Sequence, residues 1–160
     1  MLNVYADAVP GESLAGFSLG ENLSDLIDVV DTVIDGSETK WTAGLAKNSS
    51  GVLLYKFKEG GGVMYFARPC LELHFNDKGI LCAAIAGSGY QGEIYRSVNI
   101  GSELSKIDHL LYLDDANDVH YLCDEDENIL PGIYFIAEGE SVDEDPNQVI
   151  TQVCIYNENL

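Results

Sequence analysis

The chain has 160 residues, of which 46% are hydrophobic, and it includes nine tyrosines and five phenylalanines. This length and composition favour one domain with a packed core and argue against intrinsic disorder. The net charge of −19 argues against direct binding to nucleic acid or to an anionic membrane, because both depend on Lys and Arg near phosphates.

The N-terminal residues, MLNVYAD, lack the basic start and apolar stretch of a secretion signal. No apolar run approaches the length of about 18 residues that indicates a membrane-spanning helix. We therefore expect a cytoplasmic protein that does not bind a membrane. The four cysteines, at positions 70, 82, 123 and 154, are expected to be reduced and buried, because Cys82, Cys123 and Cys154 lie in apolar strand-like runs.

A ten-residue pattern occurs twice, at positions 17–26 (FSLGENLSDL) and 98–107 (VNIGSELSKI). In both copies an apolar-polar-apolar segment leads to a glycine, Gly20 or Gly101, which permits a turn that a side chain would hinder. An acidic residue soon after the glycine suits a helix N-terminus. Apolar residues at helical spacing then predict an amphipathic helix in each copy, with stripes at positions 23, 26, 27 and 30 and at positions 104, 107 and 111.

Strand-like runs follow each predicted helix, at 52–57, 63–67, 71–75 and 80–85 and then at 119–123, 133–137 and 149–156. The link 75–79 has the residues of a hairpin turn, and three glycines at 60–62 favour another reversal. The prediction is an α+β fold of two pseudo-repeated helix-plus-antiparallel-meander halves, about 12–95 and 96–160, forming one compact domain, 1–160. Two alternatives are a chance similarity and a single-sheet α+β domain without a true repeat.

No catalytic residue, metal site or cofactor is predicted. The acidic run from 124 begins like a calcium loop, but Ile129 stands where Gly is needed and Phe135 where a bidentate Glu is needed. The chain contains no Cys-x-x-Cys pair, no His-Glu-x-x-His and no Gly-x-Ser-x-Gly motif. We therefore expect a protein that is not an enzyme. An acid-dependent or metal-dependent enzyme with a deep pocket is the alternative.

The acidic residues are concentrated at one end of the sequence. Residues 107–160 contain fourteen Asp and Glu but no Lys or Arg, a formal charge of −14, whereas residues 1–106 carry −5. A field of one sign opposes compaction but steers a basic partner to its site. These residues therefore predict a surface that binds a basic protein, formed by Asp114, Asp115, Asp118, Tyr121, Asp124, Glu125, Asp126, Glu127, Asp143, Glu144 and Asp145.

Aromatic residues lie near the acidic runs in the sequence. Tyr121, Tyr134 and Tyr156 are candidate aromatic anchors, although alternation along strands predicts that some of the three point inward. The alternative interpretation of the acidic runs is that they are loops that only keep the protein in solution.

The segment 9–26, VPGESLAGFSLGENLSDL, resembles immunity proteins of bacterial contact-dependent growth inhibition and related polymorphic toxin systems. The duplicated Gly-x-x-Leu-Ser segment followed by strands is also similar in plan to the β-lactamase inhibitory proteins. The first resemblance implies a cytoplasmic protein that binds a cognate toxin, the C-terminal nuclease domain of a secreted adhesin, with an RNase favoured over a DNase. It implies neutralisation by covering the basic substrate-binding surface, without turnover. The alternative is an acidic adaptor or nucleic-acid mimic that binds a host protein.

Overall fold

The computed structural model describes residues 1–36, 51–137 and 139–160. Strands account for 41% of the structure and helical residues for 7%. Its helical elements are one α-helix, α1 (Leu23–Leu26), and two 3-10 helices (Ile27–Val29 and Leu104–Lys106). Its strands are β1 (Ser13–Leu14), β2 (Phe17–Ser18), β3 (Thr32–Asp35), β4 (Val52–Lys56), β5 (Gly62–Phe66), β6 (Leu71–Phe75), β7 (Leu81–Ala86), β8 (Leu110–Asp114), β9 (Val119–Cys123), β10 (Ile129–Ile136) and β11 (Gln152–Tyr156).

The predicted α+β class with two helix-plus-meander halves is wrong, because the protein is mostly β-sheet. The first predicted helix is α1 with one 3-10 turn after it, and the second is a single 3-10 turn. The second apolar stripe runs on into β8, which pairs with β9, whereas the first stripe ends at residue 30, before β3 begins. In the second copy, strand pairing therefore overrides the helical periodicity. None of these helical elements in the described ranges has the length that a bilayer crossing requires.

Nine strands form one mixed sheet in the order β3–β4–β5–β6–β7–β11–β10–β9–β8. The β3–β4 pair is parallel, and the other neighbours are antiparallel. Two meanders of four strands, β4–β7 and β8–β11, thus meet through their last strands, with Ile85 opposite Cys154. The hairpin predicted at 75–79 is confirmed as the β6–β7 connection, where Gly79 has a positive φ of 75°.

The two similar sequence segments make the same backbone contacts with the starts of β7 and β11. The N–H of Gly20 donates to the carbonyl of Leu81, and the N–H of Gly101 donates to the carbonyl of Ile150, both at 2.8 Å. The residue three positions after each glycine also donates its N–H at 2.8 Å. Leu23 donates to the carbonyl of Gly79, and Leu104 donates to the carbonyl of Gln148. Each segment therefore docks like a short extra strand beside the last strand of a meander.

Each docking segment depends on a glycine with a positive φ, 96° at Gly20 and 88° at Gly101. A Cβ at either position meets no heavy atom within 4 Å, so a substitution costs backbone strain rather than a clash. We expect Gly20→Val and Gly101→Val each to lower the free energy of unfolding by about 1–3 kcal/mol, measured by urea unfolding. Asn tolerates positive φ better than Val, so the Asn variants should lose less. Equal losses for Asn and Val at both positions would contradict this account.

One face of the sheet is covered by residues 1–31 and 87–109, which contain only short elements between irregular stretches. Every core-cluster residue of the nine-stranded sheet lies on this face, including Leu73, Ala84 and Phe135. The covering segments contribute Leu14, Phe17, Tyr90, Ile94, Val98 and Leu104. The core therefore sits between the sheet and an irregular layer, and it leaves the opposite face of strands β8–β11 outside the core.

Candidate functional site

The face of the sheet that lies outside the core carries a row of tyrosines. The register aligns Tyr112 of β8 with Tyr121 of β9, and Tyr121 with Tyr134 of β10. Tyr134 in turn lies opposite Cys154 of β11, and Tyr156 lies two residues further along that strand, on the same side. We call this side of strands β8–β11, defined by Tyr112, Tyr121, Tyr134 and Tyr156, the tyrosine face.

The tyrosine rings contact one another. The ring centroids of Tyr121 and Tyr134 are 5.6 Å apart with an interplanar angle of 64°, an edge-to-face arrangement. Those of Tyr134 and Tyr156 are 5.8 Å apart with an angle of 41°. Such contacts hold the rings in place, so little side-chain entropy is lost when a partner binds. Tyr112 stands at the outer end of the row and is 54% exposed.

A cleft of about 450 Å³ opens on the tyrosine face. Its walls are aromatic and aliphatic, and it includes two carboxylates, those of Asp114 and Glu158. The negative charges of both act on the Tyr121 phenol and add to the effect of burial in raising its pKa. The complete lining is Tyr112, Asp114, Tyr121, Ile129, Tyr134, Tyr156 and Glu158.

Three phenols of this face, those of Tyr121, Tyr134 and Tyr156, have raised pKa values. Burial raises the pKa of Tyr134, and the nearby Cys154 thiol raises it further. Burial is also the main cause of the raised pKa values of Tyr121 and Tyr156. Beneath the rings, burial raises the pKa of the Cys154 thiol to about 11. At neutral pH the face therefore presents uncharged rings and hydroxyl groups between carboxylates.

These raised pKa values predict that the protein loses stability in alkali. The unfolded chain releases phenolic protons as the pH rises through about 10, while the folded chain retains them, so the free energy of unfolding falls above that pH. Tyr90, buried on the covered side, contributes with the same sign. We expect the urea midpoint to fall between about pH 9.5 and 11.5, and to fall less steeply in Tyr134→Phe. A midpoint that does not change in this range would contradict the assignment.

The predicted acidic residues do not form one patch, because they lie beyond opposite ends of strands β8–β11. We call these two sides of the sheet, where the strands end and the loops begin, its acidic edges. The β8–β9 turn, with Asp115 and Asp118, shares an edge with the β10–β11 connection, which holds Asp143, Glu144 and Asp145. The two loops are close, since a Cβ on Gly139 lies 3.3 Å from a carboxylate oxygen of Asp118. The β9–β10 turn, with Asp124 to Glu127, lies at the other edge, together with the C-terminal residues after β11.

Several of the predicted carboxylates stabilise their own turns. The Asp124 carboxylate accepts hydrogen bonds from the N–H groups of Asp126 and Asn128, both at 2.9 Å, and these bonds lower its pKa. The Asp114 carboxylate accepts a bond from the N–H of Ala116 at 3.1 Å. Asp145 and Glu144 also make local bonds, at 3.0 Å to the N–H of Asn147 and at 2.9 Å to the hydroxyl of Ser141. Variants that test binding should therefore leave these four residues unchanged.

The structure places Tyr121 and Asp114, among the predicted residues, in the cleft itself. Tyr121, Tyr134 and Tyr156 share one face, so the prediction that some of the three point inward is wrong. Sequence reasoning missed Tyr112 and Glu158. The alternation of Leu111 and Leu113 with Tyr112 and Asp114 indicates a strand with Tyr112 and Asp114 on one side, but the helical interpretation of this region hid it.

Among the described residues, no group of three or more His, Cys, Asp or Glu side chains is arranged to hold a metal ion. All four cysteines are free, and Cys123 and Cys154 are buried. No protein-family model, curated protein or solved structure matches the chain. The features that bear on function are therefore the tyrosine face, the acidic edges and the resemblance of residues 9–26.

Proposed function

We propose that this protein is an immunity protein that binds a basic toxin domain and blocks its substrate-binding surface. The observation that carries the proposal is the tyrosine face, a row of contacting aromatic rings with a cleft between the carboxylates of Asp114 and Glu158. Tyrosines contribute strongly to protein interfaces because each offers a large rigid ring and a hydroxyl group. Carboxylates around such a centre steer a basic partner toward it.

The target that fits this surface best is a nuclease domain. A nuclease carries Lys and Arg where it holds phosphates, and the two acidic edges offer carboxylates in place of those phosphates. Residues 107–160 carry no positive side chain, so no Lys or Arg within this stretch competes for the carboxylates. The proposed mode of action is stoichiometric occlusion in the cytoplasm, where the nuclease would meet its substrate.

An acidic adaptor or nucleic-acid mimic accounts for the charge equally well. A mimic depends mainly on rows of charge, however, and it has no need of a central aromatic cleft. The ring contacts between Tyr121, Tyr134 and Tyr156 therefore favour the inhibitor. The two functions differ in their expected partner, a toxin domain for one and a host DNA-binding or RNA-binding protein for the other.

The proposal is tested with the C-terminal domain of the adhesin expected in the reading frame beside this gene, which we call the toxin domain. Calorimetry of the two purified proteins should give a one-to-one complex, and cleavage of RNA or DNA by the toxin domain should stop at equimolar inhibitor. Absence of a complex, or a complex that leaves cleavage intact, would contradict the proposed function.

A further inference from the structure

The residues that line the cleft on the tyrosine face are of the types that bind a flat cation. Its lining combines four tyrosine rings with Ile129, and the two carboxylates of Asp114 and Glu158 complete it. Aromatic faces attract cations within about 6 Å through their quadrupole, and the attraction is strongest where water is excluded. An opening of about 450 Å³ admits a side chain from a partner, so the site need not be restricted to small molecules.

The charge of the cleft is not neutralised from within the described part of the chain. The recorded ion pairs there are Glu72 with His74 and Glu103 with Lys106, and neither involves Asp114 or Glu158. Arg96 lies over the Tyr95 ring, at 5.2 Å from its centroid, in the covering layer. None of the residues of strands β8–β11 is Lys or Arg. A cation bound by these carboxylates therefore comes from outside this face.

Arginine fits this lining better than lysine does. Its planar guanidinium stacks on aromatic rings, is weakly hydrated and has five N–H donors in a fixed plane, which suits phenolic oxygens together with a carboxylate. Lysine carries a compact and strongly hydrated ammonium group, which is costlier to bury between rings. We propose that the cleft of the tyrosine face is a pocket for one arginine side chain of the partner protein. This inference rests on the proposed function, and it identifies the partner group that the face recognises.

The test uses the whole protein and a small probe, so it does not require the toxin domain. Ring signals of ¹³C-labelled tyrosine are followed by NMR during titration with Nα-acetyl-arginine methyl ester. The lysine ester and the neutral citrulline ester serve as comparisons. We expect saturable shifts of the Tyr121, Tyr134 and Tyr156 signals with the arginine ester, binding about tenfold weaker with lysine, and no shift with citrulline.

Variants separate the pocket from the general negative charge. Glu158→Gln should weaken binding of the arginine ester several-fold, and Tyr134→Phe should weaken it less than Tyr134→Ala. The matched control, Glu125→Gln with Glu127→Gln, removes two charges from residues that do not line the cleft and should leave the affinity nearly unchanged. Equal binding of arginine and lysine esters, or equal loss in Glu158→Gln and the control, would overturn the inference.

Failure of the arginine-pocket proposal can be distinguished from failure of the proposed inhibitor function. If the toxin domain forms a complex that Glu158→Gln and Tyr134→Ala leave unchanged, and the ester shifts none of the cleft signals, the arginine pocket is wrong and the inhibitor survives. If the ester binds as expected but the toxin domain forms no complex, the inhibitor is wrong and the pocket stands as a site for another partner's arginine.

Discussion

Replacing Tyr134 with Ala is expected to weaken the complex with the toxin domain by about 30-fold or more, mainly through faster dissociation. Tyr134 occupies the centre of the tyrosine face, with its ring 5.6 Å from that of Tyr121 and 5.8 Å from that of Tyr156. Its loss removes one anchor and also the support of two others. Surface plasmon resonance with the purified toxin domain gives both rate constants.

Two controls define what this result means. Tyr134→Phe keeps the ring and should retain most of the affinity, which separates ring packing from the hydroxyl group. Tyr5→Ala removes a tyrosine that is 73% exposed and belongs to the segment covering the other face, so binding should not change. If Tyr5→Ala weakens the complex as much as Tyr134→Ala, or if Tyr134→Ala has no effect while its melting temperature is unchanged, the tyrosine face is not the binding surface.

The second large effect is expected on the association rate. One variant combines Asp115→Asn, Asp118→Asn and Asp143→Asn at one edge of the sheet, and a matched variant combines Glu125→Gln, Asp126→Asn and Glu127→Gln at the other. Each removes three charges and leaves the turn-stabilising Asp114, Asp124, Glu144 and Asp145 in place. We expect each to slow association about tenfold at low salt, with little change in dissociation, because exposed charges act mainly by steering.

Salt dependence supplies the check on this expectation. Added salt should slow association of the unaltered protein and bring its rate toward that of the two variants, since surface charges are screened over about 10 Å at 0.1 M. If one triple variant behaves like the unaltered protein at every salt concentration, the loops it alters serve only to keep the protein in solution. If both do, electrostatic steering has no part in recognition.

Residue alternation in the sequence predicts many of the strands correctly, whereas helical periodicity does not predict the helices correctly. Leu71, Leu73 and Phe75 alternate with Glu72 and His74, and this pattern marks β6. The segment after Leu104 contains apolar residues that satisfy both periods, 3.6 and 2, so local sequence does not decide between helix and strand. Pairing with β9 decides it, and such a contact is not visible in the segment itself. Strand β3 also depends on a contact that its own segment does not show, because its partner β4 lies beyond residues 37–50.

The candidate site was predicted only in part, again because strand pairing is not visible in the sequence. Charge is visible in sequence, so the acidic character of residues 107–160 and the candidacy of Tyr121 required no structure. The common face of Tyr112, Tyr121, Tyr134 and Tyr156 depends on the register of four strands and on an irregularity in β10 between Ile129 and Tyr134. An irregularity of this kind changes which residues share a side, and the sequence does not reveal its position.

A structure of the complex with the toxin domain tests the central claim most directly. We expect the toxin domain to cover the tyrosine face, with Tyr121, Tyr134 and Tyr156 buried at the centre of the contact and carboxylates from both edges around it. An interface formed instead by the covering segments, residues 1–31 and 87–109, with the four tyrosines still exposed, would contradict the account.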